Sequence, residues 1–308
     1  TWQTVLTRVL AIVAALVASG LVMLIMGFNP LEIYAQIVKS SVTSVRKLRE
    51  TLNKTILLTV LSLGISVAFR MKFWNIGAEG QFYMGSFGAA LIAFGFPELQ
   101  PALLLPLMGL SAFVFGGIWA VIPALIKLKF TTSETLVTLM MNYIAIAFIA
   151  YLESGPWKDP KGLGVAKIAT FPDNASMPTV FGIHAGWIIT LVLVIVLTIM
   201  MKYSKFGYQI DVLGESETTA RYAGMNTMKV TLIAVLISGG LCGIGGYMQA
   251  SAIEHSITSQ LSGGLGFTAV ITAWLAKLKP PIIVVVSFVF AMLLKSEVSL
   301  QALNMPSA

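Results

Sequence analysis

Charged residues are scarce in this 308-residue chain: only 11% are Asp, Glu, Lys or Arg, whereas 57% are apolar and the mean hydropathy is +0.87. Soluble domains carry roughly 25% charged residues, so the composition excludes an ordinary soluble protein. The apolar runs are continuous rather than alternating, which excludes the pattern of a membrane β-barrel. A helical protein with several membrane spans remains, because a helix satisfies its own backbone hydrogen bonds in lipid.

Cysteine and histidine are nearly absent. One cysteine, Cys242, excludes both an intramolecular disulfide and a cysteine-based metal site. The two histidines, His184 and His255, are far apart and have no neighbours at metal-ligand spacing, so we interpret them as loop residues near helix ends.

Nucleotide-binding and hydrolytic motifs are missing as well. The sequence has no Gly-Lys dipeptide, and therefore no Walker A loop, and it has neither an H-E-x-x-H pattern nor a nucleophile elbow. We therefore predict a chain that is not an enzyme and carries no cofactor of its own. If ATP drives its work, another subunit must bind the ATP.

The formal net charge is +7, which in a soluble protein would indicate a nucleic-acid partner. Here most of the basic residues lie in short stretches between apolar runs, where they set membrane topology, so we predict no nucleic-acid binding. If every run crosses, one side carries Lys127, Lys129, Lys202, Lys205, Arg221, Lys229, Lys277 and Lys279. We assign that side to the cytoplasm, which makes residues 202–229 a cytoplasmic loop and residues 153–186 an external one.

The apolar runs predict an all-α, polytopic membrane protein of about nine to ten transmembrane or broken helices, forming a single domain over residues 1–308. Nine runs are readable: 5–28, 55–69, 82–96, 102–126, 135–152, 187–201, 230–250, 265–276 and 282–294. Run 5–28 is long enough to span and lacks a clear cleavage site, so it does not indicate a signal peptide. Residues 29–54 should be external and yet are basic, which predicts one amphipathic helix along the outer surface.

Two of these segments are short and introduced by glycines. "NIGAEGQ" begins at Asn75, and "SGGLGFTA", with Phe267, begins at Ser262. Short or glycine-broken segments at corresponding places in two halves of a membrane protein indicate a ligand path near the middle of the bilayer. We expect both segments to border such a path.

The first segment places hydrogen-bonding groups beside aromatic rings, with Asn75, Glu79 and Gln81 next to Trp74 and Phe82. This combination suits a ligand with a planar ring and hydroxyl groups. A second interpretation is a polar turn at the membrane surface, with Trp74 in the aromatic belt. The residues alone leave both open.

Two amides inside predicted spans also have two interpretations. Asn142 and Gln249 need partners, because a buried amide is costly, and those partners are either other helices or a ligand.

Two further motifs concern helix packing and helix capping. Gly239 and Gly243 form a G-x-x-x-G pair, which predicts close helix packing. Ahead of Asn142, Thr131 and Glu134 have the spacing of a capping box.

The loop 202–229 contains a capped helix. Ser216 is a good N-cap, Glu217 suits the positive end of the helix and Gly224 is placed as the glycine after its last turn, which predicts a helix over residues 217–223. A helix of two turns is not stable alone, so it either docks onto a partner or is an ordinary connector. A partner would meet a small knob formed by Ala220, Tyr222, Ala223 and Met225.

Four stretches together resemble a known family: "AFRMKFWNIGAEGQFYMGSFGAA" from Ala68, "TLMMNYIA" from Thr138, "SGPWKDP" from Ser154 and "GESETTARYAGMNTMKV" from Gly214. They are similar to the permease subunits of bacterial ABC importers for nucleosides and related simple sugars, relatives of the branched-chain amino acid and ribose permeases. The resemblance implies a bacterial inner-membrane subunit that pairs with a second permease and an extracytoplasmic solute-binding protein. It also implies two ATPase subunits, which bind ATP and Mg.

The resemblance further implies roles for residues. The contact with the ATPase would use Glu217, Ala220, Arg221, Tyr222, Ala223, Gly224 and Asn226. The substrate pathway would include the first glycine-introduced segment, with Trp74, Asn75, Glu79, Gln81 and Phe82, and we add Asn142, Gln249 and Phe267 as further candidates for this pathway. The implied substrate is a nucleoside, with a simple sugar as the alternative. An ion-coupled secondary transporter would need several ionisable residues within its spans, and Glu79 is the main candidate.

Overall fold

The computed structural model describes residues 2–130, 132–160 and 167–301, and this part of the chain is almost entirely helical. Its α-helices are α1 (Trp2–Ile25), α2 (Pro30–Val42), α3 (Val45–Arg70), α4 (Ala78–Gly95), α5 (Pro101–Phe130), α6 (Glu134–Ser154), α7 (Gly186–Tyr203), α8 (Lys205–Glu215), α9 (Glu217–Tyr222), α10 (Thr227–Gln249), α11 (Leu265–Leu275) and α12 (Pro280–Gln301). Within the described residues, the strands are β1 (Thr179–Val180) and β2 (Ile183–His184), which form one antiparallel pair. The predicted all-α class is confirmed.

Each of the nine predicted apolar runs forms a helix, but the helices differ in their capacity to cross a membrane. Within the described residues, six are long and apolar enough: α3, α5, α6, α7, α10 and α12. Part of α1 and α2 would add a seventh span as a pair bent by 114°. α11, with 11 residues, is too short to cross. The chain is thus a multi-pass membrane protein with at least one broken segment.

The chain divides into two compact units, and the first contains Thr1–Thr51 and Ala291–Ala308. The side chain of Asn29 caps α2 by accepting the backbone N–H of Leu31 at 3.1 Å. Residues 29–54 hold α2 and the first turns of α3, and the placement of an amphipathic helix on the outer surface stays a prediction. α2 ends at Val42, and α3 begins at Val45, ten residues before the predicted run, because its polar first turns are supported by the i,i+4 ion pair of Arg46 with Glu50 at 3.1 Å.

The second unit, Leu52–Phe290, is built on a close crossing of α4, α5 and α10. Glycines allow it: a Cβ added at Gly85 of α4 would lie 2.2 Å from the Cα of Gly243 in α10. A Cβ at Gly246 would lie 2.0 Å from the carbonyl oxygen of Phe82. Such separations exclude any side chain, so the predicted close packing of the G-x-x-x-G helix is confirmed.

α3 and α11 end with the same hydrogen-bond pattern. The N–H of Phe73 donates to the carbonyl of Ala68 at 3.2 Å, and that of Leu278 donates to Ala273 at 3.0 Å, as in a Schellman motif. The left-handed position that follows each helix is occupied by a lysine, Lys72 (φ 56°) and Lys277 (φ 51°). This likeness accords with a weak internal repeat and brings the two helix ends into equivalent conformations.

These two helix ends lie together with α8. Arg70 pairs with Asp211 at 3.4 Å and donates to the carbonyl oxygen of Leu278 at 3.5 Å. A Cβ at Gly214 would lie 2.0 Å from the carbonyl oxygen of Arg70, so the end of α8 rests on the end of α3. The basic stretches at 202–229 and 277–279 therefore meet at one end of this unit. The cytoplasmic assignment of that end stays a prediction.

Two further predictions concern loops. The stretch 153–186 contains the β1–β2 pair and a 3-10 turn at Asp173–Ala175, and residues 161–166 lie outside the described residues. Thr131, the predicted first member of the capping box, also lies outside them. Glu134 begins α6 and pairs with Lys127 at 2.7 Å. The stretch 202–229 is more ordered than a loop, since it folds into α8 and α9.

Candidate functional site

The site begins at the non-helical segment between α3 and α4. We call residues 71–81, which include the first turn of α4, the joint. Asn75 is its centre: Oδ1 accepts the N–H of Gly77 at 3.0 Å and the Nε2 of Gln81 at 2.8 Å. Nδ2 of Asn75 donates to the Oε1 of Gln81 and to the Oγ of Ser238 in α10, both at 3.1 Å. All the hydrogen-bonding capacity of the Asn75 amide is used inside the protein.

α6 supports the joint from the other side. Asn142 accepts the N–H of Gly80 on its Oδ1 at 2.8 Å and donates from Nδ2 to the carbonyl oxygen of Ile76 at 2.9 Å. The hydroxyl of Thr138 accepts the N–H of Ile76 at 3.3 Å. Asn142 is completely buried. Since irregular backbone inside a membrane protein must find partners, these side chains replace the bonds that a continuous helix would have made.

The joint is linked to the second glycine-introduced segment through Glu79. The Oγ of Ser262 donates to Oε1 of Glu79, and the N–H of Gly266 donates to Oε2 at 2.8 Å. Glu79 is 3% exposed and forms no salt bridge within the described residues. Its carboxylate lies at the start of α11, where free N–H groups and the helix dipole favour negative charge.

Tyr83 adds a second contact between the same segments. Its hydroxyl donates to the carbonyl oxygen of Ser259 at 2.9 Å and accepts the N–H of Ser262 at 3.3 Å. Glu79 and Tyr83 lie one turn apart in α4, so one face of α4 holds the irregular stretch 255–264 that leads into α11. The two segments predicted to border a path are thus in direct contact.

The second segment exposes one side. We call Gln260, Gly263, Phe267, Ile271 and Trp274 the α11 face, since all five are exposed. The three large side chains are 37%, 53% and 49% exposed. Gly263 has φ +55°, and a Cβ added there would meet nothing within 4 Å. The α11 face therefore has two parts: exposed irregular backbone around Gly263, and the exposed apolar side of α11 with Phe267 and Trp274.

Trp274 of this face stacks on Trp74 of the joint. Their ring centroids are 5.3 Å apart with an interplanar angle of 18°, and Trp74 is 38% exposed. The buried ring of Phe69 meets both tryptophans edge-on, with centroids 5.2 Å from Trp74 and 6.0 Å from Trp274. The two tryptophan rings therefore pack against the buried Phe69 on one side and are partly exposed on another.

The predicted pathway residues thus fall into three groups. One group is buried at or beside the joint: Asn75, Glu79, Gln81, Phe82 and Asn142. Trp74 and Phe267 are exposed, and Gln249 is 8% exposed with no partner for its Oε1. Sequence reasoning missed Ile271 and Trp274, although their spacing from Phe267, at i+4 and i+7, is that of one helix face.

α9, the predicted contact helix, is present and capped at both ends. The Oγ of Ser216 accepts the N–H of Thr219 at 3.2 Å, and Gly224 (φ 74°) follows the last turn. The N–H of Met225 donates to the carbonyl oxygen of Ala220 at 3.0 Å, which closes a Schellman motif. The short capped helix is confirmed.

The knob predicted on α9 needs one correction. Ala220 is only 1% exposed, because the helix turns this residue inward, so it does not belong to an outer knob. Tyr222 is 97% exposed and is the most prominent side chain of the helix. Arg221 pairs with Glu217 along the helix at 2.6 Å. Asn226 caps the start of α10 by accepting the N–H of Lys229 at 3.0 Å.

A cavity of about 260 Å³ separates the start of α9 from the end of α3. Its lining includes Lys72, Lys127, Glu215, Glu217 and Thr231. Both signs of charge are present, and the cavity opens beside the backbone at which the joint begins. α9 thus faces the start of the joint across a cavity, whereas α8 contacts the end of α3 through Gly214.

The described side chains of the two histidines and the cysteine make no hydrogen bond to the joint or to the α11 face. Burial lowers the pKa of His184, in β2, to about 4, so its ring is neutral at physiological pH. His255 follows α10 and its Nδ1 lies 3.1 Å from the Oγ of Ser176. Cys242 is buried in α10. Among the described residues, no three His, Cys, Asp or Glu side chains are grouped as metal ligands.

Comparison with known families accords with this architecture. Residues 48–306 match the family described as the permease component of the branched-chain amino acid transport system. The chain belongs to this family. The matched region includes the joint, the α11 face and α9, so the permease assignment covers the whole candidate site.

Three relatives in this permease family illustrate the range of names. The glucose ABC transporter permease protein TsgB13 of Haloferax volcanii is 27% identical, covering 100% of this chain and 84% of the relative. The guanosine ABC transporter permease protein NupP of Bacillus subtilis is 28% identical, over 98% of this chain and 86% of NupP. A second guanosine permease of that organism, NupQ, is 27% identical over 72% of each chain. No solved structure matches the chain.

Proposed function

We propose that this permease is the membrane subunit of an ATP-driven ABC importer for nucleosides in a bacterial inner membrane. The observation that carries the proposal is the contact of α8 with the end of α3 and the start of the joint: a Cβ at Gly214 would lie 2.0 Å from the carbonyl oxygen of Arg70 and 3.2 Å from the Cα of Met71. A peripheral motor acting on α8 and α9 would reach the joint through backbone contacts alone. The guanosine permeases among the relatives support nucleosides as the substrate class.

The partners follow from the same proposal. ATP and Mg are bound by two ATPase subunits, and an extracytoplasmic binding protein delivers the solute. A second permease completes the route. The presence of two guanosine permeases in Bacillus subtilis, NupP and NupQ, supports a pair of related chains. Tyr222 is the first candidate for the ATPase contact, because it is 97% exposed on a helix that is held to the protein by its buried residue Ala220.

Coupling in this proposal is a rigid-body movement. Closure of the ATPase subunits displaces α9 and α8, and the end of α3 moves with them. The joint transmits the displacement to α11 through Glu79. Alternation between outward and inward access then lowers the affinity for the solute in one state, which releases it.

The predicted pathway residues divide their work in this proposal. Trp74 and Phe267 contact the solute, because their rings are exposed. Asn75, Gln81 and Asn142 keep the wall in shape, since their amides bond other parts of the protein. Gln249 has a carbonyl oxygen without a partner, which suits a role in solute contact at a different point.

The test uses the complete complex in proteoliposomes with ATP inside and labelled guanosine outside. Tyr222→Ala is expected to lower ATP-dependent uptake by about tenfold or more, as removal of a central interface tyrosine does. Tyr151→Ala is the matched control, because Tyr151 is also exposed, at 64%, and lies in α6. We expect it to change uptake less than about twofold.

Two results would contradict parts of the proposal. Full uptake by Tyr222→Ala together with full uptake by Gly224→Val, in complexes that retain both ATPase subunits, would show that α9 is not the contact with the ATPase. The other concerns the substrate: uptake of labelled glucose that excess guanosine does not inhibit would favour the sugar alternative, which the relative TsgB13 supports.

A further inference from the structure

Trp74 and Trp274 form a stacked pair at the surface of the protein. Two indole rings lie nearly parallel, each about half exposed, and they come from segments about 200 residues apart in sequence. Tryptophan is common at membrane interfaces, where single rings face the lipid headgroups. Whether lipid headgroups explain this pair depends on where the two rings lie on the protein.

The position is determined by the length of α11. Its 11 residues rise about 16 Å, roughly half of a 30 Å hydrocarbon core. The end of α11 lies beside Arg70, at the end of the unit that carries the basic stretches. Its start, with Gly263 and Gly264, therefore lies near the middle of the membrane.

Lipid cannot cover that start. Residues 255–264 are non-helical, and Gln260 and Gly263 are exposed. Exposed irregular backbone does not occur in contact with hydrocarbon, so this surface faces water or protein. Trp274 lies on the same face of α11, about three turns further on, and its partner Trp74 is beside it. The exposed tryptophan pair therefore continues, along one side of α11, a surface that faces water or protein.

We propose that Trp74 and Trp274 form a stacking site for the planar ring of the transported solute. The inference rests on the proposed function and names the subsite that would recognise the base of a nucleoside. Aromatic side chains bind bases through their π-faces, with little dependence on which base is present. Phe69 holds both rings edge-on, so the platform is preorganised.

The pair also depends on conformation, because one ring belongs to the joint and the other to α11. A movement that shifts α11 relative to the joint separates the rings and removes the platform. The same movement that opens the route would thus weaken binding of the base, which is the difference in affinity between two states that release requires.

The experiment compares Trp74→Leu, Trp274→Leu and Trp274→Phe in the complete complex, with uptake of labelled guanosine measured over a range of concentrations. Trp157→Leu is the matched control: Trp157 also stacks on a ring, that of Phe87 at 5.3 Å, but it lies outside the α11 face. We expect Trp74→Leu and Trp274→Leu each to raise KM for guanosine about tenfold. Trp274→Phe keeps an aromatic ring, so its KM should stay close to the wild-type value.

Each outcome bears on a different claim. If wild-type complex does not transport guanosine, the proposed substrate class is wrong and the stacking site falls with it. If wild type transports guanosine and both leucine variants keep the wild-type KM, the stacking site alone is wrong. Loss of permease pairing in Trp274→Leu, seen by cross-linking, together with normal KM in Trp274→Phe and Trp74→Leu would also overturn it, because the face would then be a contact between subunits.

Discussion

The joint and the α11 face are both introduced by glycines, but they use their polar groups in opposite ways. In the joint, Asn75 and Gln81 bond each other and the backbone, and both amides are buried, although the Trp74 ring of the same segment is exposed. On the α11 face, Gln260 and Gly263 are exposed next to aromatic rings. The difference shows that polar residues inside a membrane protein do not by themselves mark the surface that meets a solute. Whether a polar residue is available to a solute depends on whether its polar atoms already have partners inside the protein.

The surroundings of two glycines make the same contrast. A Cβ at Gly77 in the joint would lie 2.9 Å from the Nε2 of Gln81 and 3.0 Å from the Oδ1 of Asn75. A Cβ at Gly263 would have open space around it. The joint is therefore a packed structural element, and the α11 face is an available surface.

The largest expected effect comes from the helix crossing under the joint. Gly246→Val would place a side chain against the carbonyl of Phe82, where a Cβ already approaches to 2.0 Å. We expect a loss of about 4 kcal/mol or more and failure to recover folded protein. Gly109→Val in α5 is the control, because a Cβ there meets Tyr247 at an ordinary 3.5 Å. The measurement is the yield of monodisperse protein in detergent for each of the two variants. Equal yields of the two variants would show that the crossing is not as close as described.

Removal of the Asn142 amide is expected to have the next largest effect. Asn142→Leu leaves the N–H of Gly80 and the carbonyl of Ile76 without their partner, at about 1–3 kcal/mol for each buried group. The apparent melting temperature in detergent should fall clearly. Met140→Leu on an exposed position of the same helix should leave it unchanged. An unchanged melting temperature in Asn142→Leu would mean that the joint does not depend on this amide.

Glu79→Gln tests the link between the two regions. The substitution keeps the size of the side chain but removes the negative charge from the start of α11, and we expect a loss of about 1–2 kcal/mol. Uptake should fall more than stability, because the link also transmits movement. Glu98→Gln, on an exposed carboxylate, is the control. Normal uptake in Glu79→Gln would show that the charge is not needed for coupling.

The smallest effect is expected on the open surface. Asn tolerates the left-handed conformation that Gly263 adopts, and its side chain would meet no neighbour, so Gly263→Asn should change stability by less than about 0.5 kcal/mol. Gly77→Ala should cost more, although alanine is smaller. Melting curves of Gly263→Asn and Gly77→Ala, recorded under the same conditions, compare the two losses of stability. A reversed order would remove the distinction between packed joint and open face.

Local signals in the sequence were sufficient for the parts of the fold with local causes. The nine helices follow from apolar runs, and α9 follows from Ser216 and Gly224 at its two ends. The close crossing of α10 follows from its glycines. In these cases the residues that specify a structure are next to each other in the chain.

The rest depends on partners far away in sequence. Asn75 bonds Ser238, and Asn142 bonds the backbone 62 and 66 residues earlier, so no local pattern distinguishes these amides from ligand-binding ones. The burial of Ala220 and the exposure of Trp274 likewise depend on which side of a helix packs. The apolar run predicts the start of α3 ten residues too late, because the charged first turns of α3 do not resemble a membrane span.

The distance between Glu79 and its partners has a consequence for biosynthesis. Ser262 and Gly266 are made 183 and 187 residues after Glu79, which at roughly 5–20 residues per second is a delay of about 10–40 s. During that interval the Glu79 carboxyl group of α4 lacks the donors that it has in the folded protein. Because a buried carboxyl group without partners is costly, we expect α4 to stay near water or the insertion machinery until the chain around Ser262 and Gly266 has been made.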